Sequence, residues 1–456
     1  MTMIAFGGVI GAGLFVGSGV VIKAAGPAAV LSFVITGLLV VLVMRMLAEM
    51  AAALPAVGSF YEYARLAWSD KPRIGALAGF LTGWMYWYFW VIVVALEAVA
   101  GAGLVRFWLP NEPTWLISLV LLLLLTGTNL ISVRSFGEFE FWFASIKVAA
   151  IVAFLVIGSV YVLGLWPGIQ ANVSNLTARG GFAPNGLLPI LTGAVAATGF
   201  YFGAEIVTIA AAESTEPAKA VARATNSVIT RALLFYVGSI LLVACLVPWN
   251  SPGIATPYVS ALNAMGIRGA AHIMNAVVLT AVLSALNSGL YASSRMLFAL
   301  TGRGDAPRGL ATLSRSGVPS RAILLGTLFG YAAVVMAFIS PDTVFAFLVN
   351  SYGTVAIFVY VSIAISQMRL RARLEREEPA RLRIRMWAYP FLTIVAIAGM
   401  LGIVLAMAFI SDQRTPLLFG VVSLGILLLS FYARVRFGGP QQPAALSTEP
   451  HQYDEL

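Results

Sequence analysis

Glycine residues interrupt two hydrophobic stretches of this chain, each long enough to cross a lipid bilayer. The first stretch, residues 3–22, carries a glycine-rich run from Gly7 to Phe15, and the sixth, residues 188–212, is broken at the same place between Gly199 and Glu205. A broken helix leaves N–H and C=O groups unpaired at bilayer depth, where only protein or ligand can satisfy them. Glycine also lets membrane helices pack closely. Two corresponding breaks, the second with a carboxylate, instead favour the binding site of a secondary transporter built from an inverted repeat.

The composition places the chain among integral membrane proteins. Of its 456 residues, 60% are hydrophobic and 10% are charged, and a membrane-spanning helix needs about 20 predominantly apolar residues. The sequence therefore predicts an all-α polytopic membrane protein, with one transmembrane domain at residues 1–437 and a cytoplasmic tail at 438–456. We expect twelve spans, at residues 3–22, 28–47, 76–105, 115–132, 141–165, 188–212, 228–247, 273–300, 322–339, 344–366, 387–410 and 417–432.

The net charge of +9 indicates how the chain is oriented in the membrane rather than nucleic-acid binding. When both termini are placed in the cytoplasm, 22 of the 28 Lys and Arg residues lie in inner loops or the tail and 5 lie outside. This bias follows the positive-inside rule. We expect a multi-pass protein of the cytoplasmic (inner) cell membrane with both termini inside, in contact with the bilayer and secondarily with its anionic lipids.

Few residues suit a metal site or an enzyme. The chain has one cysteine, Cys245, and two histidines, His272 at a predicted helix end and His451 in the tail. We therefore expect no metal site, no catalytic residue and no cofactor, with a proton gradient as the energy source. Since only Met1 and Thr2 precede the first span, we also expect the true start of the gene product to lie upstream of Met1.

Ionisable side chains within the spans are candidates for proton coupling and gating, because each costs about 2.5–3.5 kcal/mol to insert. The candidates are Glu97, Lys147 and Glu205. Burial of Lys147 favours its neutral form, which suits a group that gains and loses a proton during transport. A static ion pair with Glu97 or Glu205 is the alternative. Ser284, in the eighth span, offers Lys147 a neutral hydrogen-bond partner.

The two breaks suit a small zwitterionic substrate. The N-termini of half-helices attract a carboxylate, and freed carbonyl groups can accept hydrogen bonds from an ammonium. Aromatic side chains at the second break can cover the ligand and contact its cation. The predicted substrate-binding residues are Ile10, Gly11, Ala12, Gly13, Phe200, Tyr201, Phe202 and Gly203.

Longer motifs resemble those of the amino acid transporter family of bacterial permeases, within the amino acid–polyamine–organocation superfamily. They lie at residues 7–15, 44–50, 137–142, 209–213 and 286–297, and the runs at 204–214, 223–229 and 303–307 are similar to those of γ-aminobutyrate permeases. The resemblance implies a LeuT-like 5+5 inverted repeat, at about residues 1–166 and 188–367, with broken helices 1 and 6 and two extra helices at 387–436. It also implies that Lys147 replaces a sodium ion and that Gly11 and Gly13 bind the substrate carboxylate.

One position departs from the family pattern. Many relatives have Phe-Ser-Phe where this chain has Gly199-Phe200-Tyr201, so the aromatic side chain that gates the substrate is absent at Gly199. Phe200 or Tyr201 must then cover the ligand differently.

The predicted function is import of γ-aminobutyrate or a similar small amino acid by proton symport with alternating access, without an obligate protein partner. One alternative is a proton-coupled permease for aromatic, branched or small neutral α-amino acids. A non-transporter alternative is a channel or a substrate-sensing membrane receptor.

Overall fold

The computed structural model describes residues 10–54, 60–131, 134–205, 233–267, 269–314 and 318–437, apart from the side chains of 134–140, 311 and 437. These residues form helices and connections without a β-strand. Helices occupy all twelve predicted positions, which confirms the all-α membrane fold. The α-helices are α1 Ser18–Ala25, α2 Ala29–Ala53, α3 Phe60–Leu66, α4 Pro72–Val105, α5 Thr114–Ile131, α6 Arg134–Val162, α7 Leu188–Tyr201, α8 Leu233–Leu246, α9 Pro257–Ala264, α10 Ala270–Gly302, α11 Ser320–Ile339, α12 Pro341–Glu377, α13 Phe391–Met407 and α14 Ser411–Phe437.

The first span contains the predicted irregularity. Ile10 is not helical, Gly11 lies in a bend, and a π-helical turn, Gly13–Gly17, leads into α1. The π-helix is a rare form that occurs mostly as single turns, often at functional sites. The other two glycines of the motif, Gly7 and Gly8, lie outside the described residues.

The sixth span is broken as the sequence predicts. Helix α7 ends at Tyr201, Phe202 is extended (φ −67°, ψ 143°), and Gly203 has φ +109°. Glycine adopts such a positive φ without the steric penalty of a side chain, so the chain can leave the helix axis here. Residues 206–232, which include the second half of this span and the motifs at 209–213 and 223–229, lie outside the described residues, as does the tail at 438–456.

The helix ends differ from the predicted bounds where charged residues continue a helix. Helix α12 runs to Glu377, whereas the prediction ended at residue 366. Two pairs spaced four residues apart, Arg371–Glu375 at 2.7 Å and Arg373–Glu377 at 3.1 Å, support this extension, since such pairs stabilise a helix outside an apolar environment. The proposed repeat boundaries at 1–166 and 188–367 stay a prediction.

Four helices surround the first break. Helix α4 packs most extensively against α10, and α12 packs against both α4 and α7. At the α12–α7 contact, a Cβ on Gly353 would lie only 2.0 Å from the carbonyl oxygen of Val195, so glycine allows the two backbones to meet. Helices α13 and α14 lie outside this group, and α14 leaves most of its apolar surface exposed, as expected of a helix that faces lipid.

A charged cluster, formed by Asp305 with Tyr61, Arg65 and Arg434, connects α3 and α14 to the segment just after α10. The buried Asp305 carboxylate accepts hydrogen bonds from Arg65, from the Tyr61 hydroxyl at 2.5 Å and from Arg434 at 2.5 Å. Burial, and then the charge of Asp305, raise the pKa of Tyr61, so its phenol stays protonated and donates. The segment after α10 is thereby held against both other helices.

We expect Asp305→Ala to destabilise the folded protein by about 3 kcal/mol, because two arginines lose a carboxylate that is only 2% exposed. Thermal unfolding in detergent measures this loss. Asp70→Asn is the matched control, since Asp70 pairs with Arg369 at the exposed surface, where ion pairs contribute little. Equal melting temperatures for the two variants would contradict a structural role for the cluster.

Candidate functional site

A small cavity lies where the two helix breaks meet. It brings together five predicted site residues, Gly11, Gly13, Glu97, Phe200 and Phe202. The rest of its lining comes from α4, α7, α10 and α12: Phe89, Trp90, Val93, Gly199, Ala285 and Tyr352. The other predicted site residues are not among those that line the cavity.

Glu97 binds the first break directly. Its carboxylate is buried, and both oxygens lie 3.0 Å from the backbone N–H of Ala12, which donates to them. A Cβ on Gly11 would lie 2.4 Å from the same carboxylate, so the glycine permits this approach. The sequence predicts that these freed N–H groups bind the substrate carboxylate. In the structure, the N–H of Ala12 is bound by a carboxylate of the protein itself.

Glu205 makes the equivalent contact at the second break. Its fully buried carboxylate accepts hydrogen bonds from the N–H of Gly203 at 2.9 and 3.1 Å. Tyr86 of α4 and Tyr360 of α12 interact electrostatically with it. Both breaks thus pair a freed backbone N–H with a buried carboxylate, although Glu205, unlike Glu97, is not among the residues that line the cavity.

Lys147 is fully buried and donates a hydrogen bond to Ser284 at 2.9 Å. The ion pairs among the described residues include none between Lys147 and either Glu97 or Glu205, although the charge of Lys147 acts on Glu97 through space. Ser284 precedes Ala285, whose Cβ is 2.8 Å from the position of a Cβ on Gly11. One helix, α10, therefore contacts both the lysine and the cavity.

The aromatic residues of the second break point in different directions. Phe200 lies over Gly13, where an added Cβ would be 2.4 Å from its ring, and Phe202 packs against Phe89 with ring centroids 4.1 Å apart. Tyr201 faces away from the cavity, since it stacks on Tyr236 at 4.5 Å.

The aromatic residues of α4 and α12 in the cavity wall were not predicted from the sequence. Tyr352 is the clearest case, because its ring occupies the space beside Gly199, where an added Cβ would lie 2.6 Å from the ring. The signal that could have identified it is Gly199 itself. A glycine at a position where relatives carry an aromatic residue implies that another side chain fills that space.

Comparison with known proteins shows which family the chain belongs to. The family model described as amino acid permease matches residues 1–441. The chain belongs to the amino acid permease family. It is therefore a membrane transporter of amino acids and not an enzyme, which confirms the family and the transport class predicted from the sequence.

Several curated relatives of the permease cover nearly its whole length. A γ-aminobutyric acid permease of Bacillus subtilis (strain 168) is 52% identical, over 94% of this chain and 91% of the relative. A γ-aminobutyric acid permease of Escherichia coli (strain K12) is 46% identical, over 95% and 92%. An aromatic amino acid transport protein of Corynebacterium glutamicum is 40% identical, over 95% and 94%.

A solved structure shares the fold of the permease. A mutant of the manganese transporter of Eremococcus coleocola aligns with a TM-score of 0.53 over 95% of this chain and 91% of that chain, at 13% identity. This likeness supports the LeuT-like architecture alone. Among the described residues of the permease, no group of three or more His, Cys, Asp or Glu side chains is placed to hold a metal ion.

We expect Gly13→Val to abolish substrate binding while the protein still inserts, because the added side chain must displace Phe200 from the cavity wall. Equilibrium binding of radiolabelled substrate to purified protein in detergent measures the effect. Gly103→Ala is the control, since a Cβ on this glycine of α4 meets no atom within 4 Å. Normal binding by a well-folded Gly13→Val variant would mean that the glycine serves helix packing only.

Proposed function

We propose that the permease imports γ-aminobutyrate or a similar small amino acid across the cytoplasmic membrane by proton symport with alternating access. The observation that carries this proposal is the cavity at the two breaks, with one buried carboxylate, Glu97, and walls of aromatic rings. The relatives named γ-aminobutyric acid permease, at 46% and 52% identity, support this substrate. In this proposal both termini lie in the cytoplasm.

The shape of the cavity favours a slender substrate. Phe89 packs on Phe202 with ring centroids 4.1 Å apart and on Tyr352 at 5.4 Å, and Phe200 lies 5.9 Å from Tyr352. An unbranched ω-amino acid is narrow enough to lie along the faces of these rings, with its ammonium against an aromatic face or the Glu97 carboxylate. An aromatic substrate would need a larger displacement of the same rings.

The alternative within transport is a permease for α-amino acids, including aromatic, branched or small neutral ones. The relative named as an aromatic amino acid transport protein, at 40% identity, supports this alternative. Membership in a permease family leaves the channel and receptor alternatives without support.

We expect unlabelled γ-aminobutyrate to compete with labelled γ-aminobutyrate uptake into proteoliposomes far better than phenylalanine, leucine or alanine does. Phenylalanine and leucine carry bulky side chains that must displace the cavity rings, and alanine holds its ammonium and carboxylate on one carbon, whereas γ-aminobutyrate holds them three carbons apart. Inhibition constants for the four compounds measure this selectivity. Stronger competition by phenylalanine than by γ-aminobutyrate would favour the aromatic alternative.

Proton coupling is the second part of the proposal. Lys147 places a cation in the apolar interior and donates to a neutral hydroxyl, that of Ser284. Loss of its proton would remove a buried charge and would change the field that acts on Glu97. Glu97 and Glu205, each bonded to an N–H of a helix break, are further proton-coupling and gating residues in this scheme.

We expect uptake by the wild type to follow an imposed inward proton gradient and to be indifferent to sodium, and we expect Lys147→Met to lose gradient-driven accumulation while retaining exchange of internal for external substrate. Exchange need not return an empty, deprotonated carrier. Accumulation and exchange are measured separately in the same proteoliposomes.

A double variant tests the structural alternative for Lys147. If the lysine only balances the charge of Glu97, then Lys147→Met together with Glu97→Gln should restore accumulation, because no uncompensated charge remains buried. Proton-driven accumulation by this double variant, or accumulation by the wild type on a sodium gradient at constant pH, would refute the coupling role.

A further inference from the structure

Tyr352 reaches the cavity from α12. Its ring stacks on Phe89 with centroids 5.4 Å apart, packs on Phe200 at 5.9 Å, and lies beside Gly199 of α7. The neighbouring Gly353 brings the α12 backbone against Val195. The ring is therefore fixed by contacts on three sides, and its position relative to both breaks is set by the packing of α7 and α12.

The hydroxyl of Tyr352 is a buried polar group at the cavity wall. The side chain is 3% exposed, and its oxygen has no hydrogen-bond partner among the described residues. It lies 3.0 Å from the position of a Cβ on Gly13, which places it at the cavity wall beside the first break. A buried hydroxyl left without a hydrogen bond costs about 1–3 kcal/mol, so such groups usually have a partner in the working state.

The chemistry of the cavity indicates which end of an amino acid this hydroxyl meets. The ammonium is attracted by the Glu97 carboxylate and by the aromatic faces. A carboxylate only accepts hydrogen bonds and needs donors, and the N–H of Ala12 is already bound by Glu97. The Tyr352 hydroxyl, which lies beside Gly13 rather than beside Gly11, is a donor without a hydrogen-bond partner among the described residues.

We propose that Tyr352, whose ring fills the space beside Gly199, is a substrate-binding residue whose hydroxyl donates a hydrogen bond to the carboxylate of the transported amino acid. This inference rests on the proposed transport of a small amino acid through this cavity. It assigns to α12 a part of the recognition that the sequence analysis placed in the two breaks alone.

The test compares Tyr352→Phe with Ser351→Ala in proteoliposomes. Tyr352→Phe keeps the ring and removes the hydroxyl. Ser351→Ala removes another buried hydroxyl without a partner among the described residues, at the adjacent position of α12 and outside the cavity wall. We expect the KM for γ-aminobutyrate to rise about tenfold or more in Tyr352→Phe, as for loss of a hydrogen bond to a charged group. Vmax should be retained, and KM should be unchanged in Ser351→Ala.

Thermal unfolding separates binding from a structural role. Removal of a hydroxyl that lacks a partner should leave the melting temperature of both variants at or above that of the wild type. An unchanged KM in folded Tyr352→Phe, or an equal rise in KM in Ser351→Ala, would overturn the proposal.

Gly199→Ala gives a second route to the same answer, because its Cβ would lie 2.6 Å from the Tyr352 ring and must displace it. We expect this variant to raise KM as well, and we expect the double variant with Tyr352→Phe to be less impaired than the sum of the two effects, since each removes the same contact. Additive effects would overturn the proposal.

Uptake by the wild-type protein tests the proposed function independently of the role of Tyr352. If it takes up another amino acid instead of γ-aminobutyrate, the same variants are compared on that substrate, because every amino acid carries the carboxylate in question.

Discussion

A buried carboxylate bonded to the backbone of a broken helix is the interaction on which this site depends. A carboxylate and an unpaired N–H are each costly in an apolar interior, and each satisfies the other at Glu97–Ala12 and again at Glu205–Gly203. The break and the carboxylate therefore stabilise each other, and neither would be expected at this depth alone. The same pairing fixes the cavity wall, because Glu97 lies against Gly11 while α4 places the adjoining aromatic residues.

Close approach to glycine is the second condition for this geometry. Carboxylate, phenyl and phenol groups lie where the Cβ atoms of Gly11, Gly13 and Gly199 would otherwise be. Interiors are packed to near-crystalline density, so these groups cannot shift far without moving the helices that carry them. The glycines that break the helices thus also determine how narrow the cavity is, which connects the backbone irregularity seen in the sequence to substrate size.

The helices and the buried charges could be predicted from the sequence because both follow from the cost of polar groups in the bilayer. Hydropathy gave all twelve positions, and it failed at the end of α12 because Arg371 and Glu375 continue the helix beyond the apolar region. Glu97, Lys147 and Glu205 stand out because an ionisable group within a span is expensive.

The direction of side chains at the break could not be predicted, because it depends on local backbone angles. Phe200 and Phe202 reach the cavity while Tyr201, between them, turns toward α8, since the chain leaves the helix at Phe202 with φ and ψ that the sequence does not specify. Tyr352 was missed for a different reason. A tyrosine in an apolar helix most often serves packing, and Tyr352 differs from the others only because its ring lies beside Gly199.

The packing of α10 gives a physical route between the proposed coupling group and the substrate. Ser284 accepts from Lys147, and the next residue, Ala285, lies against Gly11 at the cavity wall. A single peptide unit of a long helix therefore separates the two sites. A neutral Lys147 can accept as well as donate a hydrogen bond, so after deprotonation the Ser284 hydroxyl can donate to the lysine instead of accepting from it. Deprotonation also removes the charge that acts on Glu97. Both effects converge on Gly11, since Ala285 and Glu97 contact it from two sides. In the proposed mechanism, the proton on Lys147 and the substrate in the cavity therefore influence each other through two adjacent residues of α10, Ser284 and Ala285, without a long pathway through the protein.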